Sequence, residues 1–278
     1  MRGAEAGLYA ASARRVLRAR GLHSLGERLR GSDDRLVFVV GSPRSGTTFF
    51  AGVLGEQPGF VDLSEVNPHK AGIPGLAGLP DAEAARRIRA VVERVRALAL
   101  VRGWRGVEQT PETAFVLAPA LAAYPEGRAV HLVRDGRDVV CSLLERGWLS
   151  AGRTGGDDAN LAYGARARFW VEPDRRAEFE AATDATRAAW AWRRYVSAAR
   201  SVADPRVLEL RYESLAADPV AAARTVAEHL GSDPAPLERS VARFTDSSIG
   251  RYRQDLSPEQ LADVEREAGA LLAELGYA

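Results

Sequence analysis

Short, densely apolar runs alternate with longer segments whose apolar positions recur at helical spacing. Residues 36–40 (LVFVV) are apolar throughout and rich in valine, the pattern of a strand buried on both faces. Residues 129–133 (AVHLV) and 207–210 (VLEL) are read the same way, and 60–63 and 106–109 as shorter strands. Residues 47–54, 81–100, 138–145 and 220–230 are read as helices between them, with Asp81 expected to cap the long second one and Gly231 to stop the last. A final helix is expected to open at LSPEQ, with Ser257 as N-cap and Pro258 as its first helical residue. Strands alternating with helices predict an α/β fold, a parallel β-sheet flanked by helices on both faces. Such sheets bind ligands beyond the C-terminal ends of their strands. The loops to watch therefore follow Val40, Leu63, Gln109, Val133 and Leu210.

Outside this alternation lie two stretches. Residues 8–30 read as an arginine-rich helix or helix pair that packs Leu8, Val16, Leu17, Leu22 and Leu25 inward. A membrane-surface helix is the alternative, disfavoured by a thin apolar face broken at Gly21. Residues from Trp148 to about Arg175 are the least regular of the chain and are expected either to cover a site as a lid or to be a disordered surface segment. Trp190 and Trp192 are expected in the core, and Cys141 as a small packed residue.

Composition narrows the classes. With 278 residues and 46% hydrophobic content, a sizeable core is available. Residues 1–30 carry seven arginines against Glu5 and Glu27, yet the net charge is only +1, which argues against nucleic acid as the main partner. Lys70 is the sole lysine. A single cysteine excludes an intrachain disulfide and a cysteine-built zinc site, and the four histidines lack ligand spacing. No apolar run reaches the ~18 residues of a membrane span, and no signal-peptide pattern opens the chain. A soluble, cytoplasmic protein is the expectation; oligomeric state is open.

The sharpest chemical signal is VVGSPRSGTTFF, residues 39–50. Gly41 and Gly46 have the spacing of a nucleotide-phosphate loop between a strand and a helix, but Thr47 stands where such a loop carries lysine. Backbone N–H groups at the helix start, the Thr47 and Thr48 hydroxyls and Arg44 would form an anion cradle. A second stretch, HLVRDGRDVVCS, puts Arg134 just beyond a strand end and Ser142 eight residues later on the next helix. A guanidinium and a hydroxyl there suit a second phosphate. Asp135 also mimics the strand-end aspartate that holds magnesium in ATPases, and Asp138 is expected to cap its helix.

Taken together, these stretches resemble the nucleotide site of sulfotransferases that use 3′-phosphoadenosine 5′-phosphosulfate (PAPS). The family's 5′-phosphosulfate loop is matched by Pro43, Ser45, Gly46, Thr47 and Thr48, with Arg44 inside it, and its 3′-phosphate pair by Arg134 and Ser142. The resemblance continues at LRYESLAADP, where Tyr212 falls at the family's adenine-side aromatic, and at SSIGRYRQDLS, where Arg251, or second Arg253, would return a basic residue to the 3′-phosphate. It implies a P-loop-like architecture and a single domain over 1–278, with residues 1–30 as a basic helical extension and about 148–186 as an acceptor-side lid. It also implies PAPS as co-substrate, PAP as product, and a small-molecule, carbohydrate or lipid acceptor whose identity stays open.

The implied reaction is in-line transfer, governed by positioning and charge stabilisation as in phosphoryl transfer, with no metal required. Arg44 would neutralise the bridging oxygen. Glu65, after the second strand, falls where relatives place a glutamate base, and His69 is the second candidate. Pairing with an arginine is the alternative role for Glu65. Glu112 is read as a helix-start carboxylate or a substrate contact. Gln109 stands where many relatives carry a lysine, a departure that bears on catalysis. Two other classes remain open on the residues: a P-loop kinase or NTPase, and a non-catalytic nucleotide binder.

Overall fold

The structure, a computed structural model, describes residues 2–20, 33 and 35–277. Five strands form one all-parallel sheet: β1 (Leu36–Val40), β2 (Phe60–Ser64), β3 (Arg105–Glu108), β4 (Arg128–Val133) and β5 (Val207–Arg211), in the order β2-β3-β1-β4-β5. The helices are α1 (Arg2–Arg20), α2 (Thr47–Gly55), α3 (Asn67–Leu76), α4 (Asp81–Leu98), α5 (Leu117–Ala123), α6 (Gly136–Arg146), α7 (Arg176–Ala181) and α8 (Asp184–Arg200). They continue with α9 (Ser214–Ala217), α10 (Pro219–Leu230), α11 (Pro234–Val241), α12 (Tyr252–Asp255) and α13 (Pro258–Glu274).

The uniform apolarity of LVFVV has a simple cause: β1 is the central strand and is covered twice. Leu36, Phe38 and Val40 enter the core shared with α1, α3, α4 and α5, while Val37 and Val39 enter the opposite core against α2, α10 and α11. A third cluster joins α6, α8 and α13 beside the end of β4. Trp190 and Trp192 are fully buried in α8, and burial pushes the Cys141 thiol up to about 12, which leaves it an inert packed group.

Helix α1 buries Tyr9, Ala13 and Val16 against β2, α3 and α4, so this face is packed on protein. The expected continuation through Gly21, Leu22 and Leu25 lies outside the described residues. Two caps differ from expectation. Asp81 lies in the first turn of α4 with Pro80 at the cap position. Helix α6 begins at Gly136 with Asp135 as its N-cap, so Asp138 is free for another task. Ser257 caps α13 through a full capping box with Gln260, and Gly231 ends α10 in the left-handed conformation.

Residues 148–172 carry little regular structure beyond a Gly156–Ala162 bridge, whereas 176–181 and the chain from Asp184 are helical. The tip of the irregular segment is tied down: Asp158 pairs with Arg15 of α1 at 3.0 Å, and Asp157 with Lys70 of α3 at 2.8 Å. No helix among the described residues is long and apolar enough to cross a membrane.

Candidate active site

The turn from β1 into α2 is shaped by close approach. Gly46 has φ 88°, and a Cβ there would sit 2.5 Å from the Tyr212 ring. A Cβ on Gly41 would collide with the Leu132 carbonyl. Arg44, though not glycine, is held at φ 74°, a strained left-handed conformation of the kind that clusters at functional turns. Gly46 is the N-cap of α2 and offers no capping side chain, so the first-turn N–H groups at Thr47 and Thr48 keep their donors for something else. The Ser45 hydroxyl is buried with no hydrogen-bond partner, and the Thr48 hydroxyl lies 3.4 Å from Gln109 Oε1. Pro43, Arg44, Thr47 and Thr48 all reach the wall of the adjoining cavity.

The end of β4 meets this turn from the other side. Arg134 is buried; Nη1 donates to the Arg44 carbonyl at 3.1 Å, Nη2 donates to the Ser248 carbonyl, and Nε has no partner. Its guanidinium lies over the Tyr212 ring at 4.7 Å, and Trp192 Nε1 donates to its carbonyl at 3.0 Å. Ser142 projects from α6 and accepts from Arg44 Nε at 2.9 Å. Arg44, Arg134 and Ser142 thus occupy one locus, reached from β1, β4 and α6. Burial, with the charges of Arg146 and Arg134, pulls the Arg44 guanidinium below its ordinary range. A cation cluster short of counter-charge is what an anion site requires.

The late loop is held against the same helix. Asp138 is fully buried and accepts from the backbone N–H of Gly250 at 2.7 Å and of Tyr252 at 3.1 Å. Asp138 therefore anchors the loop and leaves capping to Asp135, whose carboxylate also pairs with Arg137 at 2.8 Å. Arg251 pairs with Glu145, three residues beyond Ser142, and with Asp255. Arg253 is exposed, its guanidinium 4.7 Å from the Tyr252 ring centre. Tyr212 also packs edge-on against Phe244 at 4.8 Å, and its hydroxyl is 3.3 Å from Ser248 Oγ.

On the other side of Arg44 opens a cavity of about 690 Å³. Glu65 enters it from the end of β2, where the register shifts between Asp62 and Ser64 and Ser64 takes φ 58°. The Asp62 carboxylate holds that bend by accepting from Ser64 N at 2.7 Å. Irregularities of this kind re-aim the side chain that follows. Glu65 Oε2 is 2.7 Å from Lys70 Nζ, so its partner is the sole lysine and not an arginine side chain. Lys70 also meets Asp157 at 2.8 Å and Glu112 at 3.8 Å. Burial opposes its charge, but Glu112, Glu65 and Asp157 more than offset that and hold the ammonium above its ordinary range. Burial pushes the Glu112 carboxyl up, and Tyr195 donates to it at 2.9 Å.

His69 does not line this cavity. It is fully buried behind it with Nε2 3.0 Å from Thr113 Oγ1, and burial pulls it down to about 4. Sequence reasoning missed Lys70, Asp157, Tyr195 and Arg168 as cavity residues. Lys70 left one trace, its uniqueness; Tyr195 sits in α8, and Asp157 and Arg168 in the irregular 148–172 segment, with no local spacing to reveal them. Among the described residues no group of His, Cys, Asp and Glu is arranged to hold a metal ion.

The chain matches the model of the Sulfotransferase family across residues 37–236. Among solved structures it is similar to the sulfotransferase domain from the curacin biosynthetic pathway, at 14% identity and TM-score 0.53 over 89% of this chain and 99% of that one. It is likewise similar to mouse sulfotransferase SULT7A1 complexed with PAP, at 17% identity and TM-score 0.53 over 89% and 90% of the two chains. Sulfotransferase STF9 from Mycobacterium avium aligns at 15% identity and TM-score 0.50 over 96% and 83%. No curated protein matches the chain in sequence. The five-stranded parallel sheet with helices around it is the fold these structures share with it.

Proposed function

Because this chain belongs to the Sulfotransferase family, we propose that it transfers a sulfuryl group from PAPS to a hydroxyl, or amine, of a small-molecule, carbohydrate or lipid acceptor, releasing PAP. The observation that carries the reading is the convergence of Ser142 and Arg134 on the Arg44 turn, at 2.9 and 3.1 Å. It joins a guanidinium and a hydroxyl suited to a nucleotide's second phosphate to a loop suited to its first. The unpartnered Ser45 hydroxyl and Arg134 Nε fit an anion there, as do the glycine positions with no room for a Cβ. The mouse relative's PAP complex supports the same ligand.

In this reading the first-turn N–H groups, Ser45, Thr47 and Thr48 hold the 5′-phosphate. Arg134, Ser142 and Arg251 hold the 3′-phosphate, with Arg253 beside them, and Tyr212 borders the base. PAPS supplies the sulfuryl group. Glu65 takes the acceptor proton as the new S–O bond forms and the bond to the 5′-phosphate breaks. Arg44 offsets the charge that develops on the leaving oxygen. Lys70 fixes the Glu65 carboxylate by its 2.7 Å ion pair, and with Gln109 in place of the family lysine Arg44 acts alone on the leaving group. Asp135 is engaged in capping and with Arg137, so it lends no support to the magnesium-dependent alternative.

Calorimetry with PAP against ATP plus magnesium tests the donor. Tighter binding of ATP would overturn the reading. Glu65→Gln tests the base: PAP affinity should hold while labelled sulfate transfer falls by roughly 10²–10⁴. Undiminished transfer would remove Glu65 from that role.

A further inference from the structure

Of the cations that line the cavity, Arg15 is ion-paired with Asp158 and Lys70 with Glu65 and Asp157, while Arg44 donates to Ser142 and belongs to the donor end. Arg168 also lines the cavity, half-buried, yet it makes no ion pair among the described residues. Among the described residues its polar contacts are two long ones, from Nη2 to the Trp148 and Gly164 carbonyls at 3.4 Å each, and Nε and Nη1 find no acceptor there. The carboxylates that act on it electrostatically are taken: Asp157 holds Lys70, and Glu112 accepts from Tyr195. Burial accordingly pulls Arg168 below its ordinary range. Arg166, two residues earlier, reaches the same cavity, is exposed, and is also without an ion pair among the described residues.

A half-buried guanidinium left uncompensated is costly, and its planar fork matches a carboxylate. The wall around it is aromatic. Trp148 and Tyr163 stack at 6.3 Å, and Phe169, Trp170 and Tyr195 complete a face suited to an apolar body. From this arrangement we infer that the acceptor is an anionic hydroxy compound: an apolar or aromatic skeleton whose carboxylate is held by Arg168, with Arg166 at the mouth, while its hydroxyl meets Glu65. This rests on the sulfotransferase reading, because it uses the Glu65 end of the cavity for chemistry. It adds the class of acceptor. The expected polarity is one anchored anion at Arg168 and a neutral nucleophile at Glu65.

Matched pairs decide it: 4-(hydroxymethyl)benzoate against its methyl ester, and 12-hydroxydodecanoate against its methyl ester, with labelled PAPS as donor. Wild type should favour each acid over its ester by roughly tenfold or more in kcat/KM, the advantage carried in KM, as a charge-assisted hydrogen-bonded pair provides. Arg168→Gln should bring acid and ester together without changing PAP affinity, Arg168→Lys should restore part of the difference, and Arg166→Ala should narrow it. Thermal melting checks that each variant is folded. Esters accepted as well as acids by wild type, or an acid preference untouched in folded Arg168→Gln, would overturn the inference. If none of the four is turned over, acids must still outcompete esters in quenching Trp148 and Trp170 fluorescence in the PAP complex; equal binding overturns it. Failure of PAP to bind at all would instead count against the sulfotransferase reading.

Discussion

Glu108 at the end of β3 and His69 in α3 are both fully buried, and their Oε2 and Nε2 both reach the Thr113 hydroxyl, at 3.1 and 3.0 Å. Burial pushes the Glu108 carboxyl from 4.5 up to about 7, against the hydrogen bonds it accepts from Thr110 and Thr113. Burial pulls His69 from 6.5 down to about 4. The two act on stability in opposite directions. Between about 4.5 and 7 the folded chain keeps a proton on Glu108 that the unfolded chain has released, so this group's contribution is present below 4.5 and is lost as pH rises through 7. Between about 4 and 6.5 the unfolded chain holds a proton on His69 that the folded chain does not, so that contribution grows as pH rises. At about 1.4 kcal/mol per pH unit, each slope amounts to about 3 kcal/mol across its window. In wild type they largely cancel from 4.5 to 6.5. Glu108→Gln removes one of them. Its stability relative to wild type should rise by about 3 kcal/mol from pH 4.5 to 7.5, a large part of a typical domain's 5–15 kcal/mol. Urea unfolding followed by tryptophan fluorescence at four pH values across that range reads it directly. His69→Gln should show the mirror-image trend, gaining on wild type as pH falls. A Glu108→Gln difference constant to within about 0.5 kcal/mol would refute the reasoning.

Two further outcomes follow from the cavity and the loop. Lys70→Met leaves Glu65, Glu112 and Asp157 around an apolar tip and should cost about 3–5 kcal/mol in urea unfolding, as for a broken buried ion pair; a cost below 1 kcal/mol would mean the three carboxylates do not depend on the ammonium. Gly46→Ala puts a methyl 2.5 Å from the Tyr212 ring at φ 88°. It should cost about 1–2 kcal/mol in backbone conformation alone and more from the clash, with PAP affinity down tenfold or more by calorimetry; wild-type stability and affinity together would show that the turn tolerates a side chain.

The parts of the site that are local in the chain are legible in the sequence. Gly41–Thr48 carries its meaning in its spacing, because a strand, a tight turn and a helix start are consecutive. Arg134 and Ser142 are eight residues apart on a strand end and the helix after it, so their shared reach follows from the same unit. The choice between Asp135 and Asp138 as cap is not legible there. Both stand at the start of α6, and the outcome turns on Gly250 and Tyr252, more than a hundred residues away, needing an acceptor at Asp138. His69 has the marks of a base because histidine titrates near neutrality; burial against Thr113 removes it from the cavity.

The sequence by itself determined the layered α/β architecture and the glycine turn between β1 and α2, because strand and helix periodicity, glycine spacing and caps are set by neighbours within a turn or two of backbone. Only the tertiary structure decided what surrounds Lys70 and Arg168. The partners of Lys70 come from positions 65, 112 and 157, and the isolation of Arg168 depends on where each nearby carboxylate is already engaged. Charge compensation is a property of distances in space between residues remote along the chain, and no periodicity encodes it.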